Sequence, residues 1–357
     1  MNVHLQEEPV ISAIRKTLIA TGCAAVVLTG ATACDPIESV SAARQVDDAV
    51  EQLGEQRSLS IELGLDADAA TLEKLIRESD DAKSDAKNGD AKGSDVMNSD
   101  GPPPGFGTFL SKARLHLSMQ AKKPIADADE KDLTGTSMRI TGADGMLVEY
   151  RAFGQDTYYR ADLAALGKVA ATPMPSPDDL PAEAGALRSA LEGKWVKIDP
   201  STLPGPARDE SGLDDKTQAK LLKGIRHVLA REVTFKDNGD SDGTTRITAK
   251  ANARSLLTRL AEKLEPMASD LPPGTDLPTA DDFKSVPKKP VKVDFVLKDG
   301  KLRQITFDLA QLADKSAGLK KGTKLPLTLK FDKATKIERP TDATELKPSD
   351  LMLFAGS

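Results

Sequence analysis

The stretch SLSIELGL, residues 58–65, alternates without a break: Leu59, Ile61, Leu63 and Leu65 fall on one side, and Ser58, Ser60 and Glu62 on the other. Successive side chains of a strand point to opposite faces, so this is a strand with one buried and one wet side. Such strands belong to antiparallel sheets that pack one face and solvate the other.

The signature recurs along the chain. ARLHLSMQ, residues 113–120, puts Leu115, Leu117 and Met119 on one face. Further strands are expected in TSMRIT (136–141), MLVEYRA (146–152), DTYYRA (156–161), KWVKID (194–199), REVTFK (231–236), TTRITAKA (244–251), VKVDFVLK (291–298), KLRQITFD (301–308) and LPLTLKFD (325–332). Asp144-Gly145 and Asp299-Gly300 sit between neighbours, where tight antiparallel hairpins place such pairs. That makes eleven strands, and strongly twisted open sheets beyond about 10 strands curl or split.

Helical spacing appears in SVSAARQVDDAVEQLG (39–54), through Ala43, Val46, Val50 and Leu53, with Gly54 as its end. It appears again in KTQAKLLKGIRHVLARE (216–232), through Leu221, Leu222, Ile225, Val228 and Leu229, and in NARSLLTRLAEKLEPM (252–267), through Leu256, Leu257, Leu260 and Leu264. Asp162-Leu163-Ala164-Ala165-Leu166 and Asp308-Leu309-Ala310-Gln311-Leu312 each follow a strand and look like an aspartate cap opening a short helix. The expected fold is therefore α+β: a curled antiparallel sheet of about eleven strands, with helices packed in its concave apolar face. If the helices fill that hollow the result is an inert core. If they do not, the remainder is an apolar pocket suited to acyl chains. The alternating face supplies the candidate lining: Leu59, Ile61, Leu63, Leu115, Leu117, Met119, Val148, Tyr150, Val293, Phe295, Ile305, Phe307, Leu327 and Leu329.

The N-terminus carries a different signal. Arg15 and Lys16 precede 17 uncharged residues, Thr17 to Ala33, which are followed by Cys34, Asp35 and Pro36. A membrane-spanning helix needs about 20 apolar residues, and this run is shorter and diluted by four threonines and two glycines. A cleaved signal peptide over 1–33 is expected, with an uncleaved anchor as the alternative. Ala31-Thr32-Ala33-Cys34 resembles the lipobox of bacterial lipoproteins, whose cysteine receives a diacylglyceryl group and becomes the new N-terminus. Leu is usual three residues before that cysteine, where this chain has Ala31. Cys23 follows a similar triplet, but only six residues separate it from Lys16, too few for an apolar core of roughly 7 to 15. Cys34 is therefore the expected lipidation site, followed by a tether over 34–44 and one domain over 45–357. In either reading Arg15 and Lys16 stay inside, so the chain beyond lies on the extracytoplasmic face of the cell membrane. Glu7 and Glu8 are unusual ahead of such a leader, and the natural start is expected near Val10.

Composition narrows the class. Net charge is −6 for the whole chain and for the part after residue 33, with no basic block, which offers nothing to nucleic acid. Acylation would consume Cys34, the only cysteine left after cleavage, so no disulfide is available and stability must come from an apolar core. Residues 80–105 hold three Asp-Ala-Lys copies, six aspartates and no aromatic residue. They are expected to be a disordered insert within a loop, unable to offset chain entropy by burial.

Together the acylated cysteine, the first helix, SLSIEL, the hairpin LVEYRAFGQDTYYRADLAAL, GKWVKID, the hairpin KVDFVLKDGKLRQITFDLA and the ending LTLKFDKATKIERPTDATEL resemble the actinobacterial LppX and LprAFG lipoprotein family. The resemblance covers most of residues 40–346 and rests on pattern and order. It implies a half-barrel related in architecture to the LolA and LolB carriers, which holds a lipid or acylated glycolipid between sheet and helices. The insert, ATPMPSPDDLPAEAG (171–185) and LPPGTDLPTADDFKSVPKKP (271–290) depart from the smaller members and leave the ligand less defined than the fold.

Chemistry is sparse. His116 lies on a strand's polar side and His227 on a helix, with no metal-ligand cluster in the sequence around either. NGDSDG (238–243) imitates the start of a calcium loop, but its twelfth position would be Ala249, which has no carboxylate, and a hairpin turn explains every residue. No Gly-x-Ser-x-Gly elbow or phosphate-cradling glycine loop appears. No enzyme, metal or cofactor is expected. Tyr150, Tyr158, Tyr159 and Trp195 cluster in and after one hairpin, either as cross-strand packing or as a pocket mouth for a headgroup. The rival to a lipid carrier is a partner-binding or envelope-sensing lipoprotein whose hollow is filled by its own helices.

Overall fold

A computed structural model describes residues 37–86, 103, 105–172, 176–180, 185–199, 224–225, 227–266, 277–284, 286–313, 319–320 and 322–347. Cys23, Cys34, the signal peptide and the start of the helix expected over 216–232 lie outside the described residues.

Among the described residues, twelve strands are hydrogen-bonded in one sheet. They are β1 (Ser58–Leu65), β2 (Arg114–Ala121), β3 (Leu133–Gly142), β4 (Gly145–Phe153), β5 (Asp156–Ala161), β6 (Val196–Ile198), β7 (Val233–Ser241), β8 (Thr244–Asn252), β9 (Pro290–Lys298), β10 (Lys301–Asp308), β11 (Pro326–Asp332) and β12 (Thr344–Glu345). Their order is β12-β6-β5-β4-β3-β2-β1-β11-β10-β9-β8-β7. The order has two ends, so the sheet is open, and it is antiparallel in every described register except β12, which runs parallel to β6. All eleven expected strands form. The twelfth is a correction to their number: two residues, Thr344 and Glu345, are too short to show alternation.

The helices among the described residues are α1 (Ile37–Gly54), α2 (Ala69–Ala86), α3 (Phe106–Lys112), α4 (Leu163–Ala170), α5 (Gly185–Leu191) and α6 (Ala253–Leu264). The chain is mixed α+β as expected. Helix α2 corrects the start of the expected insert, because residues 80–86 are helical; residues 87–102 lie outside the described residues. Both expected aspartate caps form. Asp162 accepts from the Ala165 N–H at 2.9 Å and opens α4, whereas Asp308 accepts from the Ala310 N–H at 3.1 Å and opens only a 3-10 turn.

Two compact units share the chain. The first comprises Met1–Ser58, Ala121–Asp132 and Pro206–Arg303. Here α1 packs on β7 and β9. Ala42 and Ala49 are wholly buried and Val46 and Leu53 nearly so, an i, i+4, i+7, i+11 stripe whose alanines permit close approach. Ile247, Leu297, Ala249, Phe235 and Val291 are buried in this unit. The turns Asp242-Gly243 and Asp299-Gly300 have positive φ at both residues, 53° with 70° and 50° with 73°, the conformation tight hairpins select.

The second unit comprises Leu59–Gln120, Leu133–Gly205 and Gln304–Ser357. On its polar side Ser60 and Ser118 hydroxyls lie 3.0 Å apart, Lys330 donates to Glu62 at 2.9 Å, and Arg114 reaches Asp66 at 2.5 Å. The segment after β11 crosses the same side. Gln120 donates to the Thr335 carbonyl, Arg151 donates to the Glu338 carbonyl, and Arg339 pairs with Asp156. The Thr344 N–H then bonds the Trp195 carbonyl as β12 begins, and Leu346 packs with Ala186 and Val196.

Candidate functional site

Strand register decides what the fourteen candidate lining residues can do together. Across β1, β11 and β10, Leu63 faces Leu329, which faces Ile305, while Leu327 faces Leu65 and Phe307. Met138 faces Tyr150 and Ile140 faces Val148 across β3 and β4. Twelve of the fourteen lie in the second unit, and the alternating strands place them on its apolar side. Leu59, Ile61, Met119 and Tyr150 are buried there, at 2–4% exposure. Leu63, Leu115, Leu117, Val148, Ile305, Phe307, Leu327 and Leu329 are only half-buried. The remaining two, Val293 and Phe295, belong to the first unit, where Phe295 stacks near Phe235 with ring centroids 6.3 Å apart.

The positions that register onto this apolar side carry no charged side chain. Such a surface offers mainly apolar area, with the hydroxyls of Tyr150, Tyr159, Thr136 and Thr157 at its β3–β5 end. Met138 and Ile140, half-buried in the same rows, join this lining, and the alternation in TSMRIT marks them in the sequence.

The aromatic group divides between the two sides. Tyr150 and Tyr159 are register partners with rings 5.0 Å apart on the apolar side. Tyr158 faces the other way, its hydroxyl 3.2 Å from Arg339 and its ring edge-on to Phe153. Trp195 also lies on the polar side, with the Arg151 and Arg160 guanidinium carbons both 4.7 Å from its ring centroid. The hairpin tyrosines and Trp195 therefore form no single mouth.

Beside Trp195 is an ion cluster that the sequence did not announce. Glu149 is wholly buried on the polar side of β4. Arg139 donates to Oε1 at 3.0 Å, Arg151 donates to Oε1 through two nitrogens at 3.0 and 2.8 Å, and Arg160 donates to Oε2 at 2.9 and 2.5 Å. Register explains the convergence, because Arg139, Glu149 and Arg160 are direct neighbours across β3, β4 and β5. Burial pushes the Glu149 carboxyl up, but the bonds from Arg160, Arg151 and Arg139 outweigh it and hold the group below the usual carboxylate range.

The remaining sequence candidates are ordinary in structure. His116 Nδ1 lies 3.6 Å from Glu62, and burial, with Arg139, Arg114 and Lys330 nearby, lowers its pKa against the pull of Glu62. His227 is exposed. In the NGDSDG turn, Asn238 donates to Thr248 and Asp240 accepts from Thr245, so two of the three would-be ligands serve the hairpin. Among the described residues no three His, Cys, Asp or Glu side chains gather as metal ligands. No helix among them is long and apolar enough to cross a membrane.

No protein-family model matches the chain, and no curated protein does. Among solved structures, the lipoprotein LppX of Mycobacterium tuberculosis is similar to it at 10% identity, over 83% of this chain and 97% of that one, with a TM-score of 0.30.

Proposed function

We propose that this chain is an extracytoplasmic lipoprotein, held at the membrane by acyl chains on Cys34, that shelters the acyl chains of a lipid or glycolipid against the apolar side of its second unit. The observation that carries this reading is the row of eight half-buried, uncharged side chains on β1, β2, β4, β10 and β11. Covering apolar surface contributes roughly 25 cal/mol for each Å² removed from water, so an acyl chain laid on this row is held without any covalent step. Release is the reverse process, and no residue has to change protonation. A lipid anchor of two or more chains keeps a protein stably at a bilayer, which is also where such cargo resides.

Native mass spectrometry of the full chain carrying Cys34→Ala tests the reading, because that substitution removes the anchor and leaves the binding face intact. Lipid adducts that persist through purification and disappear after delipidation are expected. A clean apo mass that stays unchanged with added glycolipid would favour the rival, a lipoprotein that acts through partners.

A further inference from the structure

The Glu149 cluster holds more positive charge than its carboxylate can neutralise. Five N–H bonds from three guanidinium groups saturate the two oxygens of one side chain. Three cations against one anion leave two charges uncompensated at the centre of the cluster. Lys197 and Arg339 lie on the same side, both paired to the single carboxylate of Asp156.

The donors that remain are reachable. Arg139 is 44% exposed and spends one nitrogen on Glu149; Arg160 is 31% exposed and spends two. Arg151 is more enclosed, at 20%, and its other arm is tied to the Glu338 carbonyl. Arg139 and Arg160 flank Glu149 from the neighbouring strands β3 and β5 and grip opposite oxygens of its carboxylate, so one buried side chain fixes both guanidinium groups. Planar guanidinium forks fixed in this way suit a tetrahedral oxyanion with several acceptor oxygens.

We propose that Arg139 and Arg160, held in place by Glu149 and flanked by Trp195, form a binding site for a phosphoryl group on the polar side of the second unit. Such a group is carried by inorganic phosphate or by an anionic phospholipid headgroup, and both offer the same oxygens. The site does not depend on the apolar face, and it stands or falls separately from lipid carriage.

Trp195 is the only tryptophan in the chain and lies 4.7 Å from two of the three arginines, so its fluorescence reports on the site directly. In the full chain with Cys34→Ala, inorganic phosphate titrated at constant ionic strength is expected to give a saturable change in Trp195 emission. In Arg139→Gln the response should weaken by roughly tenfold, the loss of one charge-assisted bond. Glu149 keeps Arg151 and Arg160 in that variant, and an unchanged melting profile certifies its fold. Vesicles of phosphatidylcholine with 30 mol% phosphatidylglycerol, against pure phosphatidylcholine, separate the sources. A change with phosphate assigns the free anion, and a change with the anionic vesicles alone assigns the headgroup. Absence of a saturable response to both, or an equal response in Arg139→Gln, would overturn the proposal.

Discussion

The apolar sides of the two units are built from the same kind of strand and end in different states. In the first unit β7, β8 and β9 lie under α1, and Ile247 and Leu297 are closed to water. In the second, Leu63, Leu329, Ile305, Phe307 and Leu327 register just as well yet stay half-buried. The difference is in what covers the strands. Ala42 and Ala49 let a helix settle directly on β7 and β9, and close packing follows. In the second unit the segment after β11 and the Glu149 cluster tie four strands together on the polar side.

The largest effect should come from the polar side of the second unit. Glu149→Ala leaves three arginines facing one another without a carboxylate and is expected to cost about 4 kcal/mol, the range for breaking a buried ion pair. Urea unfolding measures it, and a cost near zero would mean that this cluster does not hold the unit. Next comes Ile247→Ala in the sealed core, expected at about 3 kcal/mol from lost transfer energy and the cavity left behind. Leu329→Ala should cost only about 1 kcal/mol, since a half-buried side chain gives up less on truncation. If Leu329→Ala proves as costly as Ile247→Ala, the two faces are packed alike and the contrast fails.

The smallest effect is in acid. The lowered carboxyl of Glu149 contributes stability that is present in full above the ordinary carboxylate pKa, about 4.3, and is lost as pH falls through its lower folded value. Unfolding free energy measured from pH 6 downward should therefore decline below about pH 4, and Glu149→Gln should flatten that decline. A decline unchanged in Glu149→Gln would assign it to other carboxylates, such as Asp156, whose pKa Lys197 and Arg339 also lower.

Strand alternation is a local property, and it marked all eleven longer strands, the capped starts at Asp162 and Asp308, and the helix that became α1. Helix α2 has a weaker signal, for Leu72, Leu75 and Ile76 have helical spacing but the Asp-Ala-Lys copies that follow dominate the composition. It is also fixed by a tertiary contact: the Glu73 carboxylate accepts from the N–H groups of Gly105 and Gly107, 32 and 34 residues away. A Cβ at Gly107 would lie 2.6 Å from the Glu73 nitrogen, so this approach needs glycine. The Glu149 cluster had no local signal. Arg139 and Arg160 stand 10 and 11 residues from Glu149 in sequence, and only the hairpin registers bring them to one carboxylate. Exposure, unlike orientation, depends on what packs above a strand, so alternation placed Leu59 and Leu329 on one side without distinguishing the buried from the half-buried.

Titration of a fluorescent fatty acid into the full chain with Cys34→Ala tests the half-buried apolar face most directly, when Leu329→Asp is compared with Lys330→Ala one residue on. Leu329 lies on the apolar side and Lys330 on the polar side. Saturable binding that falls by at least about tenfold in Leu329→Asp, and is unchanged in Lys330→Ala, is the expected result. Absence of saturable binding in the parent, or an equal loss in both variants, would contradict the account.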